Sequence, residues 1–217
     1  MSGNQLIKVN ELDGALVPQM DAMDAVAASS FLPQLKVGGA SSDPVKEGQV
    51  QMGAYFLKNG DSIDDLGKEI DIIPVTWQPK ALDYSDRTNI ISTTDHTSEL
   101  FAEIKTRSGV QNSDCLSGPE FLVYLKDQKK FATLYMCSTS QKKLGPRLAE
   151  MLGQAVTCKT KLAKNNKGSW HVPVFVECPT PMTPPNDVEL KDALTKFRAA
   201  PDGDTPEVVK EEGTRER

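Results

Sequence analysis

The sequence predicts an α+β protein, mainly antiparallel β, with one central helix between two hairpins and short flanking helices. Three observations predict it. The segments FLVYLK-DQKK-FATLYMC and VTCKTKLAK-NNKG-SWHVPVFVEC each read as two strands about a tight turn. Leu144, Leu148, Met151, Leu152 and Ala155 form one stripe at helical spacing between them. Two further β-branched and aromatic runs precede the hairpins. A small barrel of the oligonucleotide-binding type also sets a helix between its third and fourth strands and is compatible with this order. Other α+β sheets give the same string.

The domain expected is residues 31–178, preceded by a weakly ordered segment 1–30 in which Gln19 to Ala28 can form a short helix. Residues 31–48 are turn-rich, with Gly38-Gly39 and Asp43-Pro44. Val50 to Lys58 reads as a strand ending at Asn59-Gly60, and 61–68 as a loop or one helical turn. Glu69 to Trp77 is a second strand, in which Pro74 asks for a sheet edge or a bulge. Residues 78–118 are polar and read as an irregular insertion with a short helix near Glu99 to Lys105.

In the first hairpin, a two-residue turn at Gln128-Lys129 would set Tyr124 against Thr133 and Lys126 against Phe131. Phe121, Val123, Leu125, Ala132, Leu134 and Met136 then share a wholly apolar face, which must be core. The opposite face mixes Tyr124, Lys126, Phe131 and Tyr135. The helix is expected over about 145–155, with Pro146 in its first turn. Lys142, Lys143 and Arg147 cluster at its start, the unfavourable end for cations, which hints at an anion partner. In the second hairpin Trp170, Val172, Val174, Val176 and Cys178 share a parity and read as core, with Lys159 and Lys161 outward and Lys164 and Lys167 at the turn. Residues 179–185 are a Pro-rich linker, Asn186 to Phe197 a short helix, and the remainder a charged tail of disordered composition.

Charge singles out the hairpin region. Residues 120–178 carry a net +6, against −8 for 1–119 and −3 for 179–217. A basic, aromatic-bearing sheet in a chain of net charge −5 suggests a site for single-stranded nucleic acid. Phosphates would lie against Lys126, Lys129, Lys130, Lys142, Lys143, Arg147, Lys159, Lys161, Lys164 and Lys167, and bases would stack on Tyr124, Phe131 and Tyr135. The competing explanation is that these lysines decorate a solvated sheet face, or meet an acidic protein patch. The acidic part of one copy could also pair with the basic block of another, giving a homo-oligomer.

Catalysis and cofactors are not expected. Phosphate-loop, nucleophile-elbow, zinc-protease and dinucleotide motifs are missing from the sequence. Cys115, Cys137, Cys158 and Cys178 form no Cys-x-x-Cys pair, so with His96 and His171 they lack the usual zinc spacing and read as free thiols. Asp95 and His96 are sequence neighbours in a polar loop, a poor arrangement for a nucleophile set. Asp61, Asp64 and Asp65 lack the spacing of a calcium loop. No apolar run reaches membrane-spanning length, and the first residues do not read as a signal peptide.

Leu32-Pro33-Gln34-Leu35, Ser41-Ser42, Val45-Lys46-Glu47-Gly48, Gly53, Leu66-Gly67-Lys68-Glu69 and Ile73-Pro74-Val75-x-Trp77 resemble small proteins of tailed bacteriophages. The group concerned is linked to single-stranded DNA binding and to support of the phage RNA polymerase. The resemblance covers roughly residues 31–84. It implies a non-catalytic protein of the host cytoplasm that coats unpaired DNA, oligomerises and serves phage transcription or replication. The alternative is a phage assembly factor or an inhibitor of a host enzyme. One departure concerns the tail: well-known phage single-strand binders end in a strongly acidic tail, whereas residues 201–217 here hold six acids and three bases.

Overall fold

The computed structural model describes residues 32–40, 42–86, 88–110, 113–137, 142–165, 168–180 and 183–199. Nine strands and four helices follow in order: β1 (Gln34–Val37), α1 (Asp43–Lys46), β2 (Tyr55–Asn59), β3 (Ser62–Gly67), β4 (Glu69–Asp83), β5 (Ile91–Thr93), α2 (Glu99–Arg107), β6 (Cys115–Leu125), β7 (Lys130–Tyr135), α3 (Gly145–Glu150), β8 (Val156–Asn165), β9 (Gly168–Glu177) and α4 (Asp187–Arg198). The fold is α+β, dominated by an antiparallel-rich sheet. Two compact units divide the described residues, 32–78 with 118–199, and 79–117.

The strand order is β3-β2-β1-β7-β6-β4-β8-β9, with β5 paired to β4 off this path. It is an open path of eight strands with β5 beside it, so the five-stranded oligonucleotide-binding barrel is not the architecture. The sheet nevertheless curls. Tyr55 Oη on β2 donates to the Lys159 carbonyl on β8 at 3.0 Å, and Thr160 Oγ1 donates to the Gly53 carbonyl at 2.7 Å. Leu35, Tyr55 and Leu57 from one end therefore share a core with Cys158 and Phe175 from the other.

That inner face takes Phe121, Val123, Leu125, Ala132, Leu134 and Met136, the apolar set expected of the first hairpin, and is closed by Leu148 of α3. The register differs. Tyr124 pairs with Phe131 and Leu125 with Lys130, because Lys126 to Lys129 all belong to the turn and Lys129 adopts a left-handed φ of 50°. A slide of two residues keeps each side chain on its expected face.

Several other expectations are corrected. β1 lies in the stretch read as turns, where it pairs antiparallel with β2 and parallel with β7, Gln34 opposite Thr133. β3 replaces the expected loop; its polar sequence suits a sheet edge. β2 is shorter than the strand expected from Val50, since residues 50–54 form a turn. β4 is interior rather than an edge, and it accommodates Pro74 by ending its ladder with β8 at Ile72 opposite Val156; the Pro74 carbonyl accepts from Gly153 N–H instead. α3 stops after six residues, ahead of Gly153 with its φ of 74°.

Residues 79–117 are far from irregular. Ala81–Asp83 of β4 pairs with β5, and α2 is capped by Ser98, whose Oγ accepts from Phe101 N–H. Ala81, Phe101, Ile104 and Cys115 form a small core, beside which Arg107 bonds Asp83 at 2.6 Å. The Ser85 backbone N–H, and after it the Ser85 side chain and Arg107, hold the Asp83 carboxyl below the usual range against the opposing pull of burial. Among the described residues no helix is long and apolar enough to cross a membrane.

Candidate nucleic-acid interface

The outer face of the sheet is divided by α4. Asn186 caps this helix by accepting from Glu189 N–H, and Leu190, Ala193, Leu194 and Phe197 recur at helical spacing. They bury Ile73 and Val75 of β4, Leu122 and Tyr124 of β6 and Phe131 of β7. Tyr124 and Phe131 meet ring to ring, centroids 5.1 Å apart, and are 7% and 9% exposed. They therefore offer no open ring to a base, and the stacking role expected of them is corrected to a packing role. Tyr135, opposite Glu120, is half-buried.

The ten basic positions do not form one surface. Lys126 donates to Asp71 at 3.1 Å, and Thr157 Oγ1 donates to the other oxygen of the same carboxylate at 2.7 Å. Burial would raise the Asp71 carboxyl, but Thr157, Lys126 and the Cys178 thiol together outweigh it and hold the group below its ordinary range. Lys159 pairs with Glu69 at 3.0 Å. Exposed Lys129 and Lys130 line a groove of about 640 Å³ together with Asp64, Glu189 and Asp192, so acids share their surroundings. Lys142 is half-buried, while Lys143 and Arg147 are exposed around α3. Six residues of helix align few peptide dipoles, so the anion hint at its start is weak. Lys167 lies outside the described residues.

Lys161 and Lys164 remain. Both are exposed on β8 and meet no acid among the described residues. The register of the hairpin sets Lys159 against Val174, Lys161 against Val172, Ala163 against Trp170 and Lys164 against Ser169. Facing side chains across a ladder share a face. Trp170, Val172, Val174 and Val176 thus lie on the outer face with Lys159 and Lys161, whereas Cys158 and Phe175 turn inward. The expectation that the Trp170 series is core is overturned: Trp170 and Val176 are each 37% exposed. A basic rung beside a half-open indole, on a sheet face that α4 leaves uncovered, can hold a phosphate and offer a ring to a base.

Sequence reasoning missed this pairing although it had the means to find it. With Val156 and Cys158 inward, the turn about Asn166-Lys167 already places Phe175 inward and Trp170 outward. Comparison with family models, curated proteins and solved structures finds no match.

Proposed function

We propose that this chain is a non-catalytic, sequence-tolerant binder of single-stranded DNA that uses the outer face of the β8–β9 hairpin. The observation that carries the reading is Lys161, without an acid partner among the described residues, one rung from half-exposed Trp170 on the same face. Lys161 would neutralise a phosphate on this face and Trp170 would stack a base, a contact worth about 1–3 kcal/mol by alanine substitution. Lys164, which the ladder turns to the opposite face near the hairpin end, would meet the strand only where it wraps that end. Stacking is indifferent to base identity, because every base presents a π-face. The resemblance to bacteriophage proteins supports a role in phage transcription or replication in the host cytoplasm, with the phage RNA polymerase and further copies of the chain as partners.

The test is fluorescence anisotropy of a labelled oligo-dT of about thirty nucleotides, longer than the roughly 4–16 that single-strand-binding barrels cover, at low and moderate salt with duplex competitor. Salt-sensitive binding that duplex does not displace is expected. Trp170→Ala should weaken it by roughly 1–3 kcal/mol while leaving the salt slope unchanged. Absence of binding at micromolar protein and low salt would reject the reading.

The valine row beside Trp170 favours one second reading, a protein-facing surface of an assembly or inhibitory factor. In that case Trp170→Ala would alter association state without any oligonucleotide present.

A further inference from the structure

We infer that the outer face of β1, β2 and β7 forms a second phosphate-binding surface, built by Lys36 and Lys58 beside Tyr135, for the same single strand. This rests on the nucleic-acid reading above and assigns residues that the charge pattern of the sequence hides. Lys36 and Lys58 belong to the acidic part of the chain, 22 positions apart, and the fold brings them together.

The placement follows from two registers. β1 pairs with β2 so that Gln34 faces Lys58 and Lys36 faces Phe56, which makes Lys36 and Lys58 diagonal neighbours on one face. β1 also runs parallel to β7 with Gln34 beside Thr133, so two residues further along both strands Lys36 comes level with Tyr135. Both lysines are exposed. Lys36 and Lys142 both act electrostatically on the Cys137 thiol, which brings a third ammonium group to the same region.

Two lysines side by side repel, and elsewhere in this sheet the chain relieves such charge with an acid, as Asp71 does for Lys126 and Glu69 for Lys159. Here it does not. Although the side chain reaches solvent, crowding of its amine by neighbouring atoms, and after it the Lys58 charge, pull Lys36 below the ordinary lysine value. The carboxylates that the ladders bring toward this face are otherwise engaged. Glu120, across Tyr135, is 3% exposed and accepts from Gln78, and Asp65, across Phe56, accepts from Gly67 N–H. A bound phosphodiester would supply the missing counter-charge, and a strand laid there would pass the half-buried Tyr135 ring.

The experiment measures oligo-dT affinity against salt for the full chain and four double variants. Each single-strand phosphate contact contributes about 0.7 to the slope of log K against log salt. Lys36→Gln with Lys58→Gln should therefore lower the slope by about 1.4 and weaken low-salt binding several-fold. Lys36→Arg with Lys58→Arg should keep the slope. Lys46→Gln with Lys105→Gln, which removes the same net charge elsewhere, should also keep it. A wild-type slope in the Lys36/Lys58 glutamine variant, or an equal fall in the Lys46/Lys105 control, overturns the inference. Loss of slope in Lys161→Gln with Lys164→Gln alone would leave the β8–β9 reading standing and this one rejected. A wild-type chain that binds no oligo-dT rejects both.

Discussion

At the scale of single residues, the closure of the curled sheet depends on one glycine. Gly53 has φ +82°, a conformation that L side chains rarely adopt. A Cβ placed there would lie 2.5 Å from Cδ2 of His171 on β9, within the ring's own contact surface. The backbone around it is also spoken for. Its N–H bonds the Gly38 carbonyl at 2.8 Å, and its carbonyl accepts from Thr160. Gly53 can therefore neither rotate nor retreat without releasing bonds that join the turn before β2 to β8. Gly53→Ala is expected to cost roughly 1–3 kcal/mol through combined strain and clash, read as a lower urea midpoint with unchanged m-value. Equal midpoints would show that the β9 side of the seam gives way freely. Gly53 could be picked out of the sequence as a turn residue, but its close approach to His171 joins positions more than a hundred residues apart and leaves no local trace.

At the scale of elements, legibility follows the range of the interactions that fix each piece. The two hairpins, the helix between them and α4 were readable because turn residues, caps and periodicity lie within a dozen positions. β1 and β3 were not. QLKV and SIDDLG have little strand character of their own and are strands because β2 offers a ladder to each. The candidate site suffered from a different error. Four residues of alternating valine and tryptophan looked more core-like than a lone Phe175, yet register outranks composition once the neighbouring strand's parity is fixed. The cover provided by α4 was invisible for the same reason as β1, since its partners Ile73, Leu122 and Phe131 are distant in sequence. This makes α4 part of the core rather than an appendage behind a Pro-rich linker. Phe197, 2% exposed near the C-terminal end of α4, should cost about 3–5 kcal/mol when replaced by alanine. Denaturant unfolding checks this. A variant as stable as wild type would mean that α4 leaves the sheet at little cost, and that Tyr124 and Phe131 are available for stacking after all.

At the scale of the whole molecule, the proposed function requires a chain of net charge −5 to bind a polyanion. The basic block cannot act as ten free charges, because Lys126 and Lys159 are neutralised by Asp71 and Glu69 and the groove lysines share acids. Under the proposal, phosphate contact falls to Lys161 and, around the hairpin end, Lys164, and to Lys36 and Lys58 on the other surface. Four contacts give a slope of about −3 for log K against log salt, rising in size to about −4 if Lys126 and Lys159 exchange their acids for phosphates. Ten contacts would give about −7. The distinction is wide enough to measure between moderate salt concentrations. The acidic remainder adds a second signature. Near physiological salt the screening length is about 8 Å, so carboxylates elsewhere on the surface are not felt by a bound strand; at about 0.01 M it reaches 30 Å and they are. The log–log plot should therefore be straight at moderate salt and flatten at low salt, as long-range repulsion offsets the gain from counterion release. A line that stays straight to the lowest salt with a slope near −7 would mean that the basic block acts as a unit, and that the ion pairs to Asp71 and Glu69 give way wholly to the strand.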